Sequence, residues 1–219
     1  MLNVFYINLN SRPDRKQHIE NQMKLLNWKA KRFPAILHKD GAIGCALSHL
    51  ALIRYAKNNN LDHILILEDD ATFLNPVLFL TSLNQFLQSH TEFDVLLLAG
   101  NNMGDFQQIN TNCVKVTYCK TTTAYLVQKH YYDTLINNFV ESINLLRLYP
   151  TFKFKYAIDQ HWSSLQSVHN WFLLTPLSII QRPDVSDIEK CYTNYGELML
   201  VLDKSKYTDD QFNYKTHSS

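Results

Sequence analysis

The chain has 219 residues, enough to bury a sizeable core as one large domain or a core domain with a small appendage, and too few for two full domains. Lys and Arg number 21 against 20 Asp and Glu, a formal net charge of +1 that lacks the basic excess of a typical nucleic-acid binder, so no nucleic-acid partner is expected. The four cysteines, Cys45, Cys113, Cys119 and Cys191, have neither the short paired spacing of a zinc site nor the density of a disulfide framework, which favours reduced thiols in a cytosol.

In chain order, Val4 to Leu9 reads as a first strand that follows Met1 without the basic segment and apolar core of a secretory signal. Ser11-Arg12-Pro13-Asp14 predicts a helix start, with Ser as cap and Pro in the first turn, and Ile19, Met23 and Leu26 give that helix an apolar face. Gly41 and Gly44 flank Ala42-Ile43, after which a second helix is predicted from Cys45 to about Tyr55, ended by Asn58-Asn59-Asn60. His63 to Leu67 has no internal polar break and predicts a strand buried on both faces. Asn75-Pro76 opens a third helix to about Leu87, and Phe93 to Leu98 is another buried strand closing at Gly100. This alternation predicts an α/β sheet. Further on, Val114 to Tyr118, Thr122 to Val127 and Trp171 to Leu174 read as strands and Lys129 to about Ile143 as a helix. From Gln181 onward no periodicity dominates. The expected division is a domain over 1–207 and a flexible tail over 208–219, with no apolar run long enough to span a bilayer.

The most informative stretch is where the His63–Leu67 run ends in Glu68-Asp69-Asp70. In an open α/β sheet ligands bind at the carboxyl ends of strands, and three adjacent carboxylates repel one another unless a cation or donors offset the charge. Hard oxygen donors suit Mg²⁺ or Mn²⁺; the alternative is a solvated acidic turn. Alternation along an extended segment would put Glu68 and Asp70 on one side and Asp69 on the other.

Tyr6-Ile7-Asn8-Leu9 with Arg12-Pro13-Asp14-Arg15, then Gly41-Ala42-Ile43-Gly44-Cys45-Ala46-Leu47-Ser48-His49, then Leu67-Glu68-Asp69-Asp70 together resemble glycosyltransferase family 25, which contains lipooligosaccharide and collagen-modifying glycosyltransferases. Thr123-Ala124-Tyr125-Leu126, Ile158-Asp159 and Ser186-Asp187-Ile188 continue the resemblance more loosely. It implies a GT-A-like fold, in which a Rossmann-like mixed sheet is flanked by helices. It also implies a UDP-sugar donor (UDP-galactose or UDP-glucose), a divalent metal, and inverting transfer to a hydroxyl of a glycan or glycolipid acceptor. A cytoplasmic setting is expected, with a peripheral membrane contact through the acceptor.

The chemistry assigns roles. Asp70 is the expected first metal ligand; Glu68 or Asp69 is a second ligand, a ribose contact or an orienting group. Donor-binding candidates are Asn8, Arg12, Arg15, Gly44, Ser48, His49, Glu68 and Asp69. Arg12 and Arg15 could pair with a diphosphate or lie in a solvated first turn. The glycines could admit a ligand or simply form a helix entry, and His49 could be a hydrogen-bonded core residue. Asp159 is the expected base for the acceptor hydroxyl, with a helix N-cap as the alternative and His161 as the fallback base or metal ligand. Two other classes are compatible with such acids: a non-catalytic nucleotide-sugar-binding module and a metal-dependent phosphoryl hydrolase.

Overall fold

A computed structural model describes residues 2–89, 91–186, 188 and 191–205. Asp187 and the expected tail over 208–219 lie outside the described residues. The strands are β1 (Val4–Asn8), β2 (Lys31–Pro34), β3 (His63–Glu68), β4 (Ala71–Phe73), β5 (Val95–Leu97), β6 (Asn101–Asn102), β7 (Phe106–Asn110), β8 (Cys113–Val116), β9 (Cys119–Lys120), β10 (Ala124–Gln128), β11 (Trp171–Leu174), β12 (Ile179–Gln181), β13 (Asp184–Val185) and β14 (Tyr192–Thr193). The helices are α1 (Pro13–Leu25), α2 (Gly41–Asn58), α3 (Pro76–Gln88), α4 (Tyr132–Leu148), α5 (Lys153–Tyr156), α6 (Ile158–His161), α7 (Ser163–Gln166) and α8 (Gly196–Met199).

Eight strands form one mixed sheet in the order β2-β1-β3-β10-β5-β11-β8-β7. β1 runs parallel to β2 and β3, β10 is antiparallel to both β3 and β5, and β11 returns parallel to β5. The expected Rossmann-like mixed sheet flanked by helices is therefore present. Period-two alternation explains why the central strands are apolar throughout. Ile64 and Ile66 of β3 join a core built with α2 and α4, while Leu65 and Leu67 join the opposite core with α1 and α3. Each of these four is wholly buried, worth about 1.5–3 kcal/mol apiece.

Two helix starts differ from expectation. Ser11 does not cap α1: the Arg12 carbonyl accepts the first helical bond from Lys16 N–H, Pro13 opens the helix, and no side chain caps it. In α2, Asp40 Oδ1 accepts the Ala42 N–H at 2.9 Å, so the helix begins at Gly41 and both glycines lie inside it. None of the described glycines has a positive φ. Gly44 instead serves a close approach, since a Cβ there would stand 2.8 Å from the Ile36 carbonyl oxygen. Gly44→Ala should lose about 1–2 kcal/mol of stability in urea denaturation, because overpacking against backbone outweighs the roughly 1 kcal/mol gain in helix propensity. Unchanged stability would mean that the Ile36 segment gives way freely.

Candidate active site

Parallel β1 and β3 end side by side, with Ile7 paired to Glu68. The N-terminal turn of α2 faces the same edge. A cavity opens there, walled by Asn8, Arg15, Gly44, Ser48, His49 and all three acids, Glu68, Asp69 and Asp70. Residues 35–38 form another wall, and Gln181, Arg182, Thr193 and Tyr195 close it from the C-terminal segment.

The chain leaves β3 after Glu68, so strand alternation stops there, correcting the expected arrangement. Asp69 and Asp70 meet on one guanidinium: Arg15 Nη1 lies 3.4 Å from Asp69 Oδ1 and 3.2 Å from Asp70 Oδ2. Glu68 turns the other way, accepting from the Thr122 hydroxyl at 2.6 Å and facing His49 Nε2 at 3.4 Å. A carboxylate only accepts, so Nε2 donates to Glu68, and His49 Nδ1 lies 2.7 Å from the Tyr125 hydroxyl. Burial pushes the Glu68 carboxyl up, but His49, Thr122 and Arg15 more than offset this and hold it below the usual range. For Asp70, burial and the neighbouring Glu68 charge win over Arg15 and raise the carboxyl well above it. Asp69 is raised too, by burial first, against the pull of Asn8 and Arg15.

Several candidates hold other site residues in place. Asn8 is buried, donating to Asp69 Oδ2 at 2.7 Å while accepting from Arg32 Nε at 3.0 Å. Ser48 donates to the Gly44 carbonyl and accepts the Ile36 N–H, both at 2.8 Å, pinning the 35–38 wall to α2. Arg15 is not solvated; its Nε reaches Asp184 Oδ2 at 3.1 Å, and Arg12 reaches the same oxygen at 2.5 Å. Arg12 also pairs with Asp14 and stands outside the cavity walls.

Asp159 is not among the wall residues either. It sits in the first turn of α6, where Ala157 is the N-cap, and Oδ2 accepts the Thr121 N–H at 3.2 Å. Thr121 has φ of 75°, a left-handed conformation costly for a β-branched residue, so Asp159 braces a strained turn next to the Glu68 partner Thr122. Burial raises its carboxyl, with the Glu68 charge adding and the Thr121 bond opposing. His161 pairs with Glu141 Oε2 at 3.2 Å on α4 instead of entering the cavity. Asp184, Gln181 and Thr122 were not singled out from sequence, the first two lying where no periodicity dominates and Thr122 reading as an ordinary strand residue, while Tyr125 entered only within the looser resemblance of Thr123-Ala124-Tyr125-Leu126 and with no role.

Two donor sets fit a metal ion. Asp70 Oδ1 is buried with no hydrogen-bond partner among the described residues, an orphaned hard oxygen within the electrostatic reach of Glu68. Cys45, His49 and Glu68 bring one sulfur, one nitrogen and one oxygen within 4.8 Å of one another, a softer set. Burial, then the Glu68 charge, pushes the Cys45 thiol well up, so it stays protonated without an ion. All four cysteines are free.

An α/β domain with an acidic cavity at the carboxyl ends of parallel strands has the architecture of a ligand-binding site. The chain belongs to glycosyltransferase family 25 (LPS biosynthesis protein), whose model matches residues 39–149. A putative glycosyltransferase of Haemophilus influenzae is 48% identical over 52 residues, a match covering 24% of this chain and 18% of that protein. Among solved structures, a glycosyltransferase involved in glycosylation of the PBCV-1 major capsid aligns over 78% of this chain and 80% of its own, with 11% identity and a TM-score of 0.48. A Drosophila galactosyltransferase solved with manganese, UDP-Gal and xylobiose aligns over 99% of this chain and 81% of its own, with 10% identity and a TM-score of 0.38.

Proposed function

We propose that the protein is a metal-dependent inverting glycosyltransferase that moves a hexose from a UDP-sugar to a hydroxyl of a glycan or glycolipid acceptor in cell-surface glycan synthesis. The observation that carries this reading is the meeting of Glu68, Asp69 and Asp70 with the N-terminal turn of α2 in one cavity. A helix N-terminus favours a diphosphate, and carboxylates beside it are matched to a diphosphate's counter-cation. Asp70 and Glu68 would hold Mn²⁺ or Mg²⁺, which when bound neutralises the charge developing on the leaving diphosphate. Asn8 orients Asp69, and Ser48 shapes the wall. Asp159, outside the cavity walls but near enough to feel the Glu68 charge, would take the acceptor proton, and its raised carboxyl suits a base. The deciding experiment is a screen of nucleotide sugars with Mn²⁺, measuring nucleoside diphosphate release with and without glycan acceptors. Tight nucleotide-sugar binding without any release or transfer would favour the non-catalytic module.

Arg15 carries a separate expectation. Three carboxylates share its charge, and its removal strands Asp69 and Asp70 while Asp184 keeps Arg12; breaking a buried ionic cluster typically costs about 3–5 kcal/mol. Arg15→Ala should therefore unfold at lower denaturant, and Mn²⁺ should stabilise it more than it stabilises wild type. Arg12→Ala, removed from the walls, should weaken UDP binding less than Arg15→Ala in calorimetry. Equal UDP affinity in both variants and wild type would move the donor away from this edge.

A further inference from the structure

The chain between Ser142 and Ile158 contains no Asp or Glu, and carries Arg147, Lys153 and Lys155 among aromatic residues. Where α4 ends and α5 begins, large apolar side chains face water: Leu148 is 70% exposed, Phe154 71%, Tyr149 48% and Phe152 45%. Their rings are already assembled, with Tyr149 to Phe152 at 6.2 Å and Phe152 to Phe154 at 5.6 Å between centroids. Lys153 Nζ lies 3.3 Å from Asp40 Oδ1, the cap of α2, so this surface adjoins the 35–40 segment at the cavity's rim. There Leu37 is 81% exposed and Lys39 is exposed as well.

We propose that this surface docks the protein on the headgroup layer of an anionic phospholipid bilayer, with Phe152 and Phe154 inserted and Arg147 and Lys155 against the headgroups. Two properties favour a bilayer over a protein partner. Aromatic and cationic side chains alternate through Phe152-Lys153-Phe154-Lys155, which suits an interface where apolar depth and negative charge lie within a few ångströms of each other. A protein partner's contact instead buries an apolar centre depleted of charge. Among the described residues no helix is long and apolar enough to cross a membrane, so the contact is a surface one. Docking here would turn the cavity rim toward a lipid-linked acceptor. The binding itself does not depend on the glycosyl-transfer reading, and it is measured without donor or acceptor.

The test is flotation of the full chain with vesicles of phosphatidylglycerol and phosphatidylcholine in equal parts, and with phosphatidylcholine alone. The protein should float with the anionic vesicles at low salt, be released by high salt, and largely ignore the neutral ones. Phe152→Ser with Phe154→Ser should lower partitioning roughly tenfold or more, and Arg147→Glu with Lys155→Glu should remove the preference for phosphatidylglycerol. A Phe154→Trp variant gives a second reading should those variants misfold. Trp162 and Trp171 are fully buried and Trp28 is partly buried against the core of α1 and α3, so the new exposed indole should be quenched by brominated lipid far beyond the wild-type background. No flotation on anionic vesicles, equal flotation of the variants, or an unquenched indole would each overturn the proposal. So would sedimentation showing the patch buried in a dimer that no longer binds vesicles.

Discussion

Asp159→Asn should lower glycosyl transfer by roughly 10²–10⁴-fold while leaving UDP affinity close to wild type. The amide keeps the shape and can still accept the Thr121 N–H through its oxygen, so the turn that Asp159 braces is preserved. What it loses is proton acceptance. Asp159→Ala removes both and should in addition destabilise the protein by about 1–3 kcal/mol, as the Thr121 amide is left without its acceptor. A pH series gives a third reading. Asp159 is raised from its ordinary value of 3.8, mainly by burial, so the folded state holds its proton more tightly than the unfolded state. That contribution is complete below the unfolded value and is lost as pH rises through the folded one. The neutral Asn escapes the loss, so the melting temperature of Asp159→Asn should gain on wild type across that rise. Near-normal transfer by a well-folded Asp159→Asn protein would reject the base assignment and leave Asp159 as the brace of the Thr121 turn.

The central strands were legible because burial on both faces leaves a signature in sequence. His63 to Leu67 can be read as a doubly covered strand since Ile64 and Leu65 go to opposite cores. The acids at its end followed directly, and with them the cavity. Short edge elements left no such mark: β2 is a four-residue strand with half-exposed side chains, and β7 is mostly exposed. Side-chain partnerships were the least legible part. Arg15 and Asp70 are 55 residues apart and Arg15 and Asp184 are 169 apart, so nothing local announces that a guanidinium lies between the acids. The reading that three carboxylates demand a cation was physically sound, and part of that cation is supplied by the chain itself. Strand alternation misplaced Asp70, putting it with Glu68 where it joins Asp69 on Arg15, because periodicity holds only while the backbone stays extended and β3 ends at Glu68.

Asp70→Asn should lower metal-stimulated turnover by about 10²-fold or more, and abolish the stabilisation that Mn²⁺ confers. Asp70 Oδ2 is engaged by Arg15 at 3.2 Å, whereas Oδ1 is buried and unpartnered among the described residues. In the Asn variant the side-chain oxygen stays with the guanidinium, because the amide nitrogen would set donor against donor there. The nitrogen then falls where Oδ1 was, and an amide N–H₂ does not ligate a hard cation. With Mn²⁺ at a hundred times its dissociation constant, wild type should gain about 2.7 kcal/mol, or roughly 5–10 °C in melting temperature, and the variant almost none. Cys45→Ser decides between the two donor sets. If Asp70 and Glu68 hold the ion, replacing the thiol leaves the Mn²⁺ shift in place; if the ion sits among Cys45, His49 and Glu68, the shift disappears with the sulfur and survives in Asp70→Asn. Full activity in chelator would remove the metal from the mechanism and leave Arg15 as the charge that balances the acids, whereas full activity in Asp70→Asn would remove Asp70 from the ligands and leave the Cys45, His49 and Glu68 set.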